Sequence, residues 1–209
     1  MIDEQTYYYD SPDGLGRLTS SVHSRTGTTT YDSYTASGNL LQATAPGSRV
    51  TTYGYDVMGR PITVDAPDTP NAAAGQPDYT NITHTAYTDR GEVRATWGGQ
   101  TYPKRYQYDA QGRMTHLHTY TSAPAGEPTA NGDSITSWVY SANRGFLLEK
   151  NYHGENGVAD ADYTYTAAGR LQTRTWERGV VTTYGYTLGT HASPGSIHET
   201  TYTYCCAPL

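Results

Sequence analysis

The chain has 209 residues, a formal net charge of -6 and no run of Lys and Arg, so it lacks the cationic stripe that displaces counterions from nucleic acid. Leu, Ile, Val and Phe number only 25 of the 209, but 21 tyrosines accompany them, and stiff, half-apolar rings burying ~150–250 Å² each can replace the missing aliphatics in an ordered fold. No apolar stretch approaches the ~20 residues of a membrane-spanning helix, and Met1-Ile2-Asp3-Glu4-Gln5 has neither the basic nor the apolar region of a signal peptide.

Read in chain order, one pattern recurs. Tyr7-Tyr8-Tyr9-Asp10 leads to Gly16-Arg17-Leu18, and Tyr34 leads to Gly38-Asn39-Leu40. Tyr53-Gly54-Tyr55-Asp56 then runs into Gly59-Arg60, followed by a Pro/Gly/Ala/Asp-rich stretch from Asp65 to Asp78. Tyr87 leads to Gly91-Glu92-Val93, and Tyr106-Gln107-Tyr108-Asp109 to Gly112-Arg113, with a second loop-like stretch from Ser122 to Asp133. Trp138-Val139-Tyr140 leads to Gly145-Phe146-Leu147, and a shorter polar stretch covers Gly154 to Ala161. Tyr163-Thr164-Tyr165 leads to Gly169-Arg170-Leu171. Tyr184-Gly185-Tyr186 and Tyr202-Thr203-Tyr204 read as openings of copies that do not finish. Counted on the second aromatic, the spacings are 25, 21, 32, 21, 32, 25 and 21 residues, so the minimum unit is 21 and the longer gaps are loop insertions.

Each unit reads as strand, tight turn, strand. Tyr-x-Tyr has period two, which places both rings on one face of an extended strand. Asp109 follows, and its carboxylate can accept from amides two or three residues on. Gly112 then supplies the positive φ of a short hairpin turn with a bulge. The return strand from Arg113 to Tyr120 is rich in β-branched Thr, which suits a pleated surface. Leu171 to Glu177, a two-residue Arg178-Gly179 turn, and Val180 to Tyr186 form a further hairpin. No segment has helical periodicity.

Chemistry-bearing residues are sparse. His116 and His118 share a strand face, as a metal-chelating pair would, but no third ligand accompanies them, and sheet-face histidines are the expectation. Asp160 and Asp162 near His153 match neither a calcium loop nor the carboxylate pair of a glycosidase. The unit aspartates (Asp10, Asp56, Asp109) and arginines (Arg17, Arg60, Arg113, Arg170) are expected to pair with each other or to lie on tyrosine faces. Trp97, Trp138 and Trp176 are the candidates for stacking on sugar rings. Asn81-Ile82-Thr83 matches a glycosylation sequon that chance alone supplies in a Thr-rich chain. Cys205 and Cys206 cannot form a disulfide framework, and free thiols are expected there, with a vicinal disulfide as the alternative. No nucleophile elbow, phosphate loop or zinc signature is present, so no enzyme, cofactor or metal is expected.

The string Tyr-x-Tyr-Asp-x-x-Gly-Arg, repeated at 21-residue spacing, resembles the YD repeat of the RHS family, which includes bacterial polymorphic toxins, insecticidal toxin-complex shells and teneurins. The resemblance implies a continuous, spiralling β-sheet that walls off an enclosed toxin or carries an adhesive surface, in a secreted or cell-surface protein. The family's toxin members add an autocleaving aspartyl site near an Asp-Pro-x-Gly motif; Asp65-Ala66-Pro67-Asp68 is not that motif. The expectation is therefore a single all-β array of about eight antiparallel hairpins over residues 1–209, cut from something longer at both ends. Its expected role is a scaffold or shell segment whose partners are the parent protein's remaining repeats or core and an enclosed toxin. A carbohydrate-binding module is the rival reading.

Overall fold

The computed structural model describes residues 3–9, 14–67, 81–99, 101–122, 125–152, 160–186 and 197–204. Among them are sixteen strands and no helix. The chain divides into two compact units, Met1–Lys104 with Thr121–Thr129, and Arg105–Tyr120 with Ala130–Leu209.

In the first unit, β1 (Gln5–Tyr9), β2 (Leu18–His23), β3 (Gly27–Tyr34), β4 (Leu40–Ala45), β5 (Arg49–Tyr55), β6 (Pro61–Asp65), β7 (Ile82–Tyr87) and β8 (Val93–Gly98) pair antiparallel in chain order. β9 (Thr101–Tyr108) contributes residues to both units. In the second unit, β10 (Met114–Thr119), β11 (Ser134–Tyr140), β12 (Leu147–Asn151), β13 (Ala161–Tyr165), β14 (Leu171–Trp176), β15 (Val180–Tyr186) and β16 (Ile197–Tyr204) do the same. The architecture is the expected one, tandem antiparallel hairpins in an all-β chain.

Every odd-numbered strand ends on the second aromatic of a repeat, from Tyr9 through Tyr34, Tyr55, Tyr87, Tyr108, Tyr140 and Tyr165 to Tyr186. The turn that follows is closed by two backbone bonds. In the third repeat the Asp56 amide donates to Arg60 O at 3.0 Å and the Gly59 amide to Asp56 O at 2.9 Å, and the pattern returns at Thr35, Thr88, Asp109 and Thr166. The geometry brings the turn glycine into the left-handed region, where Gly112 has φ 81° and a Cβ would clash with its own backbone. The register shifts beside the aromatic: Gly54 faces Thr63 and Tyr55 faces Pro61, and Thr164 faces Thr173 and Tyr165 faces Leu171, so Ile62 and Gln172 on the return strands are the extra residues. Such a bulge bends the strand that carries it and increases the local twist.

Two sequence expectations change. Tyr184-Gly185-Tyr186 does open a repeat that finishes, because β16 returns along β15 with Tyr186 opposite Ile197. Tyr202-Thr203-Tyr204 accordingly lies on that return strand and opens nothing new. The turn between β14 and β15 also has three residues, Glu177-Arg178-Gly179, closed by the Gly179 amide on Trp176 O at 2.7 Å. The positive φ of Gly179, 74°, belongs to a turn with one more residue than the tight two-residue type.

Of the expected loop stretches, residues 68–78, 123–124 and 154–159 lie outside the described residues, and the ladder on either side of each is in register. Asp65 pairs with Ile82, Thr119 with Ser134 and Lys150 with Ala161, so each longer connection leaves and rejoins the sheet at facing positions. Burial is shallow: among the described residues no large side chain is fully buried, and the buried apolar residues are Ala43 and Ala95 within β4 and β8, Ala161 at the start of β13, and Pro103 and Pro128. Tyr9, on the edge strand β1, is 62% exposed, whereas Tyr34 and Tyr55, each with a hairpin before it, are half-buried.

Replacing Gly112 by Val is expected to destabilise the chain by about 1–3 kcal/mol, since a β-branched residue is strained at positive φ. Chemical denaturation monitored by circular dichroism reads this directly, and a wild-type midpoint would mean that the turn register is wrong. Ser48, a non-glycine residue at φ 59°, gives the opposite test: Ser48→Gly is expected to relieve up to ~1 kcal/mol of that strain.

Candidate functional site

The chemistry of the repeats is concentrated where one hairpin meets the next. The inter-hairpin ladders stop short: β2 and β3 last pair at Ser20 and Thr30, and β4 and β5 at Gln42 and Thr52. The first residue of each return strand, two positions further out, is left with a carbonyl beyond the ladder, and an unpaired backbone acceptor is costly when shielded from water. The tyrosine at the bulge of the next hairpin supplies the missing donor. Tyr34 Oη donates to Leu18 O at 2.5 Å, Tyr55 to Leu40 O at 2.8 Å and Tyr87 to Pro61 O at 2.8 Å. In the second unit Tyr140 donates to Met114 O at 3.0 Å, Tyr165 to Leu147 O at 2.9 Å and Tyr186 to Leu171 O at 2.6 Å. In all six cases the acceptor lies two residues outside the last ladder pair.

The residue after the turn glycine covers the same ring. The guanidinium of Arg17 lies 5.4 Å from the Tyr34 centroid, Arg60 4.5 Å from Tyr87, Arg113 4.6 Å from Tyr140 and Arg170 5.4 Å from Tyr186. Phe146 holds this place in the sixth repeat and stacks on Tyr165 at 4.5 Å. Its neighbour Arg144 lies 4.6 Å from the Phe146 ring and donates to Ala167 O at 3.0 Å, reaching the next turn as Arg17 does at Ala36 O.

Aspartate fixes the arginine from behind. Asp56 accepts from the amides of Met58 and Arg60, both at 2.9 Å, and from Arg60 Nε at 2.6 Å. Asp109 does the same with Gln111, Arg113 and Arg113 Nε. The acceptor pattern is thus two and four residues on, where the sequence suggested two or three, because the bulged turn carries the glycine between them. The Arg60 amide, with the guanidinium and the Met58 amide, holds the Asp56 carboxyl below the ordinary aspartate range against some desolvation. At Asp109 desolvation is the largest single influence and pulls upward, but the bonds from Arg113 and Gln111 together outweigh it. Where a hydroxyl replaces the carboxylate the amide bond survives alone, as in Arg170 to Thr166 Oγ1 at 3.1 Å and Phe146 to Ser141 Oγ at 3.0 Å.

The first aromatics of the repeats, Tyr53, Tyr106 and Tyr163, are half-buried on their strands, and Tyr163 lies 5.7 Å from the Arg174 guanidinium. Each tryptophan has a partner against its ring. Trp97 stacks on His84 at 5.2 Å, Trp138 has Lys150 at 5.6 Å, and Trp176 has Arg174 at 3.5 Å. His116 and His118 do share a face, with ring centroids 6.0 Å apart, but His118 is only 2% exposed. No group of three or more metal-ligating side chains occurs among the described residues. Asp10, His153, Cys205 and Cys206 lie outside the described residues.

Arginine on a tyrosine face was expected from the sequence; which ring each arginine covers, and the carbonyl that each phenol binds, were not. The available signal was the order aromatic, turn, Gly, Arg, strand, which places a strand-opening carbonyl one hairpin before each of these six rings and an arginine before Tyr34, Tyr87, Tyr140 and Tyr186. The geometry defines a class, the tandem β-hairpin repeat in which each hairpin completes the hydrogen bonding of its neighbour. Within that class, residues 34–70 match the family model of the RHS repeat.

Among solved structures, the crystal structure of TcdB2-TccC3-Cdc42 is similar over 87% of this chain and 11% of its own, at 16% identity and a TM-score of 0.54. The crystal structure of TcdB2-TccC3-TEV is similar over 88% of this chain and 10% of its own, at 15% identity and a TM-score of 0.50. The chain thus spans about a tenth of the length of these relatives, covering 11% and 10% of them, and the likeness is one of fold. No curated protein sequence matches it.

Removing one phenol, as in Tyr55→Phe or Tyr165→Phe, is expected to cost about 0.5–1.5 kcal/mol, the net worth of one hydrogen bond. Tyr9→Phe, on the edge strand, serves as a control with a smaller effect. Burial raises the Tyr34, Tyr55, Tyr140 and Tyr165 hydroxyls above the ordinary phenol value of 10.0. A raised folded value means that the contribution is complete below about pH 10 and is lost as pH climbs through the folded values. Alkaline titration followed at the tyrosinate absorbance band should show ionisation of these rings coinciding with loss of β-sheet signal. Ionisation well ahead of unfolding would remove the phenol bond as the seam between hairpins.

Proposed function

We propose that this chain is a wall segment of a larger RHS-type protein, a scaffold rather than an enzyme. The observation that carries the reading is the phenol-to-carbonyl contact, which spends the most distinctive side chain of each repeat on the previous hairpin. Repetition of Asp, Arg and Tyr in fixed mutual geometry serves repeated structure, whereas catalysis needs one convergent constellation. Shallow burial supports the same view, because a single layer of hairpins with no fully buried large side chain among the described residues gains from further surface to cover it.

In this reading the partners are the parent protein's other repeats and core and, in a toxin, an enclosed cargo domain. The match of residues 34–70 to the RHS repeat and the fold likeness to toxin-complex chains support a secreted or surface-exposed parent. The net charge of -6 argues against nucleic acid as a ligand.

The rival is glycan recognition by Trp97, Trp138 and Trp176. Tyr152, 38% exposed and with the Lys150 ammonium 4.5 Å from its ring, forms with Trp138 an aromatic and cationic edge suited to a sugar.

The deciding experiment uses the parent protein encoded by the surrounding reading frame. Limited proteolysis should leave any domain carried inside the repeats intact until the wall is opened by denaturant. Rapid digestion of that domain alongside intact repeats would sink the wall reading. Glycan-array binding abolished by Trp138→Ala or Trp176→Ala, with the fold retained, would favour the rival.

A further inference from the structure

One buried titratable group is left unused by the contacts between hairpins. His118, in β10 and facing Ile135 of β11, is 2% exposed. Its Nδ1 accepts the amide of Gly132 at 3.3 Å, which puts the ring proton on Nε2, an atom with no hydrogen-bond partner among the described residues. Gly132 is seated tightly: a Cβ built there would lie 2.4 Å from Thr119 O and 3.1 Å from His118 Cβ. Two more bonds tie the same segment down, from Tyr120 Oη to Ala130 O at 2.6 Å and from Arg105 to Ala130 O at 3.4 Å.

We propose that His118 is an acid-sensitive latch: neutral, it holds residues 130–133 against β10, and protonated, it releases them. A proton arriving at Nδ1 converts the acceptor of the Gly132 amide into a second donor, so the bond is replaced by a repulsive contact. The new imidazolium is also shielded from water, and the charges that act on it, Arg105 and His116, disfavour it. β9 presents Arg105, β10 presents His116 with its ring 6.0 Å away, and β11 presents Ile135 and Ser137, which carry no charge. The segment itself brings Asp133, whose charge is felt at Tyr120.

Burial first, then Arg105 and His116, hold His118 below the ordinary histidine value of 6.5. A lowered folded value means that the open state binds the proton better. The closed segment is therefore fully favoured above about pH 6.5 and loses stability as pH falls through that value. With an open-state pKa of about 6.5, opening at pH 5 exceeds opening at pH 7 by at most about 25-fold.

Amide hydrogen exchange in the whole chain, corrected for intrinsic pH dependence, tests the latch at Gly132. Protection there should fall between pH 7 and pH 5, by up to that limit of about 25-fold, while amides at the centre of β14 hold steady. In His118→Gln, whose side-chain oxygen accepts at both pH values, the dependence should vanish, and in His116→Gln it should persist. Unchanged protection in the wild type at pH 5, or the same pH dependence in His118→Gln, overturns the proposal. Should His118→Gln fail to fold, proton NMR titration of His118 in the wild type decides: a value below 6.5 supports the latch and one at or above it refutes it.

Discussion

The bond on which the rest of this structure depends is the one from a tyrosine hydroxyl to the carbonyl that opens the preceding return strand. A β-hairpin alone is marginal in water, and a row of hairpins is held by whatever joins neighbours. Here the backbone ladders between hairpins end two residues early, as at Ser20 and Gln42, and the phenol continues them with a side chain. A register shift lies beside Tyr34, Tyr55, Tyr87, Tyr140, Tyr165 and Tyr186, the six rings that make this bond.

Arginine and aspartate follow from that seam. A phenol holding a carbonyl leaves its ring face open, and the guanidinium one hairpin earlier covers it. Aspartate then keeps the guanidinium in place through Nε while capping the turn amides. The parts are separable, which explains the tolerance of the motif. Thr and Ser keep the amide bond without the charge, and Phe146 keeps the ring cover without the cation. The tyrosine at the end of the strand is present in all eight repeats.

Joining hairpins by local seams also accounts for the shallow burial and for the insertions. Stability distributed over nearest-neighbour contacts does not need a deep core, and the buried alanines Ala43, Ala95 and Ala161 are correspondingly small. Loops enter between strands that pair on either side, as Asp65 does with Ile82. His118 departs from this economy. It is a polar ring buried at the foot of one insertion, where its Nδ1 holds the Gly132 amide.

The strands, turns and repeat boundaries could be read from the sequence because they rest on local chemistry: period-two aromatics, a turn-forming Asp, and a glycine where φ must be positive. The pairing of Asp56 with Arg60 and of Asp109 with Arg113 was legible for the same reason, since four residues across one tight turn must lie close. Which carbonyl each tyrosine binds, which ring each arginine covers and that His118 is buried were decided only in the folded chain. These contacts span 15 to 28 residues in Tyr55 to Leu40 and Arg60 to Thr88, and their partners are fixed by the register between hairpins. The role of Tyr202 and Tyr204 turned on the same point. Their spacing matches a repeat opening, but pairing of β16 with β15 makes them the return strand of the repeat before.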